Sequence, residues 1–113
     1  MLARLHRITK DKEYAVIFRQ GKNYYSPSFT IKYLLANHQT PRLGIVVSKS
    51  KIAKAVLRNQ SKRRLRAIFW EFWPKLAMPY DIVVIVKKDI LTQDYLGLKQ
   101  EIMNFFKNKR IIQ

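Results

Sequence analysis

Arg58, Asn59, Lys62, Arg63 and Arg66 sit at spacings that return to one side of a helix. At ~100° per residue they share an arc of about 140° with Ala55, while Leu57, Ile68, Ser61, Phe72 and Leu65 fall on a second arc of about 80°. The chemistry available to the first arc is anion binding. A guanidinium is a planar fork that grips two phosphate oxygens at once, and ammonium groups add point charge. Asn59 is a poor mid-helix residue and reads as a side chain that exchanges hydrogen bonds with a partner. Lys49, Lys51 and Lys54 lead into the same helix. A merely solvated face would alternate acids with its bases at i,i+4, yet no acid appears until Glu71. Nucleic-acid binding therefore outweighs the solvated-face reading.

Bond-breaking chemistry finds no such cluster. The carboxylates are Asp11, Glu13, Glu71, Asp81, Asp89, Asp94 and Glu101, scattered along the chain. Two-metal phosphodiester cleavage needs several carboxylates converging on ions about 4 Å apart, and no local spacing suggests it. His6 and His38 stand in separate polar segments and read as surface or structural residues. No P-loop and no nucleophile elbow is present. The expectation is no catalytic residue and no metal ligand in this chain.

The totals agree. The 113 residues carry 23 Lys and Arg against 7 Asp and Glu, a net charge of +16 that calls for a polyanionic partner. With 48% apolar residues the chain can fill one core, so residues 1–113 are expected to be a single nucleic-acid-binding domain. The absence of Cys excludes disulfides, thiol nucleophiles and Cys-ligated zinc. Apolar runs such as Ile82 to Val86 are too short to span a bilayer, and no signal peptide is visible, so the expected location is cytoplasmic, with no membrane partner.

The elements that must carry the basic face follow from periodicity. Thr9 as N-cap, acids in the first turn and Gly21 beyond the end predict a helix from Lys10 to Gln20, with Tyr14, Ile17 and Phe18 on one side. Asn23 to Ser28 reads as a loop. Phe29 to Tyr33 alternates as a strand, with Phe29, Ile31 and Tyr33 on one face. Arg42 to Val47 reads as the second strand of a hairpin, and Gly44 as a place where a ligand backbone could approach. The basic helix runs from near Ala53 to Trp73 at the latest, because of Pro74. Asp81 to Val86 reads as a doubly covered central strand. Thr92 is the expected cap of a last helix from Gln93 to about Lys107, burying Leu96, Leu98, Ile102, Phe105 and Phe106. The fold class is α+β: three helices packed on a small mixed sheet of about four strands.

These residues also carry a resemblance. Arg58-Asn59-Gln60-Ser61-Lys62-Arg63-Arg64-Leu65-Arg66 resembles the Arg-Asn-Arg motif of the bacterial ribonuclease P protein component, and Leu43-Gly44-Ile45-Val46-Val47-Ser48-Lys49 resembles the strand before it. Phe18 to Gly21 and Tyr80-Asp81-Ile82-Val83-Val84 extend the likeness over nearly the whole chain. Ser50 and Ala53 depart from the family's Lys and Gly. Ser61 stands where an aliphatic residue is usual, which costs packing unless its hydroxyl bonds back to the helix.

The resemblance implies a left-handed βαβ crossover, where a right-handed one is the physical default. It implies a subunit of ribonuclease P, in which RNA is the catalyst, removing the 5′ leader of precursor tRNA with Mg2+ held mainly by RNA phosphates. It assigns Lys49, Lys51, Lys54, Arg58, Asn59, Lys62, Arg63 and Arg66 to the catalytic RNA. Tyr14, Phe18 and Tyr33 would line a leader cleft between the sheet and the first and basic helices. No obligate protein partner is implied.

The rival readings are a structural RNA-binding protein of ribosomal type, a DNA-binding regulator and a membrane-surface protein. The second lacks a helix before Arg58 at helix-turn-helix spacing. In the third, Trp70, Phe72 and Trp73 are better explained by core contacts. If about six phosphates are neutralised, RNA affinity falls roughly a thousandfold between 50 and 200 mM salt. Arg66→Ala is expected to flatten that slope in a salt titration; a slope near zero for the parent protein would remove the electrostatic account.

Overall fold

A computed structural model describes residues 7–35, 40–76 and 78–109. His6, His38 and most of the turn expected at 36–41 lie outside them. The order is α1 (Asp11–Gln20), β1 (Lys22–Tyr25), β2 (Phe29–Leu35), β3 (Arg42–Val46), α2 (Ala55–Phe72), a 3₁₀ turn (Trp73–Lys75), β4 (Tyr80–Val86) and α3 (Tyr95–Asn108). The sheet order is β1-β2-β4-β3.

The continuous apolar run of β4 takes an interior position, as its lack of a polar face demands. It pairs antiparallel with β2 and parallel with β3, so β2 and β3 are not the expected hairpin: β4 lies between them. The hairpin partner of β2 is β1, in the stretch read as a loop. Lys22 to Tyr25 form a strand because Tyr24 turns inward, its ring edge-on to Phe105 at 5.3 Å. The loop shrinks to Ser26–Ser28. There Glu101 of α3 accepts hydrogen bonds from the Ser26 hydroxyl, the Ser28 N–H (3.0 Å) and the Ser28 hydroxyl (2.7 Å).

The two faces of the sheet are covered unequally. Phe29, Ile31, Tyr33, Leu43, Ile45, Ile82, Val84 and Val86 face α2 and α3, forming the main core with Leu65, Ile68, Phe69, Phe72, Phe105 and Phe106. Val83 faces the other way and forms a small core with Ile8 and Ile17 under α1. Ser61 sits fully buried in α2 and donates to the Leu57 carbonyl at 2.9 Å, so its hydroxyl is satisfied within the helix.

Helix ends differ from expectation in detail. Lys10, not Thr9, precedes α1, and its N–H donates to the Glu13 carboxylate at 3.3 Å. Asp94, not Thr92, precedes α3, while the Thr92 hydroxyl donates to the Asp89 carbonyl at 3.1 Å. Leu96 is 69% exposed rather than buried, because at ~100° per residue it lies about 160° around the helix from buried Leu98.

One ion triad ties α1 to the sheet. Arg42 pairs with Asp81 through two nitrogens, at 2.9 and 2.8 Å, and with Glu13 of α1. Both acids hold the Arg42 guanidinium well above its ordinary range, Asp81 most strongly. At Glu13, burial opposes the charged form, but the hydrogen bonds from Arg42 and the Lys10 N–H prevail and hold its carboxyl below the usual 4.5. A carboxyl lowered on folding stabilises the fold above its unfolded value and loses that contribution as pH falls through the folded value. Glu13→Gln is therefore expected to be less stable than the parent at neutral pH, with the gap closing below pH 4.5. Denaturant titrations across that window measure it; a gap independent of pH would disprove the coupling.

Candidate nucleic-acid interface

The basic surface is built by the connection from Ser48 to Lys54 and by α2. The connection is a turn anchored by buried Ile52, whose N–H, like that of Lys51, donates to the Ser48 carbonyl at 3.1 Å. Anchoring that one side chain leaves Lys49, Lys51 and Lys54 exposed. Lys54 precedes α2, and no acid stands in the first turn, so the positive end of the helix dipole stays uncompensated beside them.

Arg58 also holds the chain itself. Its Nη1 donates to the carbonyls of Ile52 (3.0 Å) and Ala53 (2.7 Å), clamping the lysine-bearing turn to the helix. Asn59 and Arg63 are exposed, and Lys62 and Arg66 are half-buried. Arg64 lies off this arc and reaches the Ile90 and Leu91 carbonyls at 3.5 and 3.4 Å.

Lys62 and Arg66 line a cleft of about 250 Å³ with Arg7, Thr9, Tyr14 and the Gly44 backbone. Burial, then repulsion from Arg7 and Arg63, pushes the Arg66 guanidinium below its usual range. Among the described residues no carboxylate pairs with this face. Glu13 and Asp81 are held by Arg42, and Glu71 by Lys99 at 3.1 Å. Lys62, Arg63 and Arg66, drawn together with no ion pair to a carboxylate among the described residues, form an anion-binding surface.

The aromatic candidates divide. Tyr14 lies over Gly44: a Cβ there would fall 2.5 Å from the Tyr14 hydroxyl, so the room expected for a ligand is filled by that ring. The Tyr14 hydroxyl donates to the Ile8 carbonyl at 3.2 Å, and burial pushes its pKa up. Phe18, one turn along α1, is 42% exposed with its ring centroid 6.3 Å from that of Tyr14. Tyr33 is on the opposite face. It is 8% exposed, edge-on to Phe105 at 5.4 Å, and belongs to the main core. A strand alternates, so a position one residue away changes face. The residue facing Phe18 is Lys32, whose Nζ is 6.0 Å from the Phe18 centroid.

Register reveals the rest of this surface. Gly44, Val83, Lys32 and Asn23 are successive partners across the sheet and form the row beneath α1. The next row on that face is Val46, Ile85, Thr30 and Tyr25. Val46, Ile85 and Thr30 are half-buried, the first two against the small core, and Tyr25 is exposed. The row is a partly open floor next to the row of Lys32, which Phe18 approaches, and it starts where β3 enters the lysine-bearing turn. Sequence reasoning missed Lys32, Thr30, Val46 and Ile85. The alternation of Phe29, Ile31 and Tyr33 pointed to Thr30 and Lys32, but the row needs the strand order.

Among the described residues no group of three or more His, Asp or Glu side chains could hold a metal ion, and no helix is long and apolar enough to cross a membrane.

A profile of the family described as Ribonuclease P matches residues 2–110. The ribonuclease P protein component of Streptococcus agalactiae is 36% identical over 107 residues, covering 94% of this chain and 95% of that one. The solved structure of the Staphylococcus aureus RNase P protein is similar with a TM-score of 0.83 at 26% identity, covering 96% of this chain and 98% of that one. The Thermotoga maritima RNase P protein is similar with a TM-score of 0.79 at 28% identity, covering 90% and 96%.

Losing the Arg58 clamp should loosen the turn even when charge is kept. Arg58→Lys is expected to speed amide exchange across residues 49–53 by roughly tenfold or more, the worth of hydrogen bonds from a charged donor. Unchanged exchange would show that the two carbonyl bonds do not order the turn.

Proposed function

The chain belongs to the ribonuclease P protein family, and on that premise we propose which of its surfaces meets which RNA. As a protein subunit of ribonuclease P it serves the endonucleolytic maturation of tRNA 5′ ends, in a holoenzyme whose catalyst is the RNA. Residues 1–113 act as one RNA-binding domain.

Lys49, Lys51, Lys54, Asn59, Lys62, Arg63 and Arg66 grip the phosphates of the folded ribonuclease P RNA, and Arg58 presents the turn that carries three of them. Phe18 and Lys32, with the open floor of Thr30, Ile85 and Val46, take the single-stranded 5′ leader of precursor tRNA. Tyr14 shapes the end of that surface by holding the segment at Ile8. Tyr33 is withdrawn from the leader set because its ring belongs to the core.

The observation that supports this reading is the partly open cross-strand row meeting a basic face with no ion-paired carboxylate among the described residues. Stacking on an aromatic ring is tolerant of sequence, at ~1–3 kcal/mol per base, which suits an enzyme that processes many precursors. Unpaired cations close to bound RNA lower its charge repulsion, which is how this chain's residues favour the holoenzyme. Mg2+, when bound, would activate the attacking water, and in this family it would be held mainly by RNA phosphates. The family's place of work is the cytoplasm, and no further protein partner is required.

The deciding experiment is cleavage of precursor tRNA by a bacterial ribonuclease P RNA at low Mg2+, with and without this protein. Restored cleavage at the mature 5′ end is expected. RNA binding with no effect on cleavage would favour the structural, ribosomal-type reading instead.

A further inference from the structure

Tyr25 ends the open row, and neither the basic face nor the Phe18 surface accounts for it. It pairs with Thr30 across the β1–β2 ladder, so it shares the face of Thr30, Ile85 and Val46. It is 70% exposed, and its ring makes no hydrogen bond or ring contact with any described residue. Its neighbour Tyr24 shows what β1 does with an aromatic that belongs to the core: that ring packs on Phe105.

The backbone beneath Tyr25 is nevertheless held firmly. The next residue, Ser26, is buried, its N–H donates to the Phe29 carbonyl at 3.0 Å and its hydroxyl donates to Glu101. An exposed ring on a fixed strand loses little entropy when a flat ligand settles on it. The row has cations on both flanks. Lys32 lies on one side, fixed by its 2.7 Å hydrogen bond to Asn23. Exposed Lys87 follows Ile85 by two residues on the other side. From Val46 to Tyr25 the row crosses three strand spacings, about 14 Å.

We propose that Tyr25 is an outer stacking platform for single-stranded RNA. A leader crossing the row from the lysine-bearing turn would leave over the β1 edge with one distal base on this ring. The proposal rests on the leader reading above and adds a length dependence to it: Phe18 serves bases near the cleavage site and Tyr25 a base further out.

The test is binding to the holoenzyme of a precursor tRNA whose leader is shortened one nucleotide at a time, with mature tRNA as reference. Tyr25→Ala is expected to weaken binding roughly tenfold for long leaders and to have no effect once the leader is too short to reach the edge. Tyr25→Phe, which keeps the ring, is expected to restore the parent's affinity. Phe18→Ala is expected to weaken binding of short and long leaders alike, relative to mature tRNA. If Phe18→Ala behaves so and Tyr25→Ala has no length-dependent effect, the platform is overturned and the leader surface stands. If Phe18→Ala reduces precursor and mature binding equally, the leader surface falls and the platform with it.

Discussion

Both faces of β4 are apolar, and that single constraint shapes the molecule. A strand without a polar side must sit inside a sheet that is covered above and below. The longer helices α2 and α3 share one face, where Phe69, Phe105 and Phe106 close the main core. Only α1 is left for the other. Ten residues of helix extend about 15 Å, enough for Val83 and the Arg42 triad but not for a four-stranded sheet. The partly open row of Val46, Ile85, Thr30 and Tyr25 is the consequence. The surface proposed for the leader is a part of this amphipathic architecture that its helices only partly reach.

Charge follows a similar economy. With 7 acidic residues against 23 basic ones, the placement of acids decides where the field concentrates. Arg42 takes Glu13 and Asp81, while Glu101 holds the Ser26–Ser28 turn and Glu71 reaches Lys99. These bonds stitch helices to the sheet and leave α2's outer arc unopposed. Stability and function thus draw on the same carboxylates: an acid moved onto the basic arc would loosen an internal tie and weaken the anion surface together. Arg58 shows how fine the division is, since an arginine at the heart of the motif holds two backbone carbonyls of its own chain.

Much was legible in the sequence because it depends on local periodicity. The two arcs of α2, its end before Pro74, the doubly covered β4 and the alternation of β2 all follow from residue types at fixed angular steps. Even the oddity of Ser61 on the core arc had a local resolution, the bond to Leu57 four residues earlier. The misplacements are those that depend on distant partners. Lys22–Tyr25 became a strand by pairing with β2 and packing on α3, and nothing within that stretch signals either contact.

By itself the sequence determined the three helices, three of the four strands, the basic arc and, through the motif, the family. These are properties of neighbours within a few residues, where backbone geometry sets the angles. Only the tertiary structure decided that β4 separates β2 from β3, and so which side chains line up across the sheet. That order took Tyr33 into the core, brought Lys32 to Phe18, filled the space over Gly44 with Tyr14 and set Tyr25 at the end of an open row. The physical reason is that a strand's alternation fixes two faces but not which of them a helix covers. That choice belongs to the competition among all apolar surfaces in the chain for the same core.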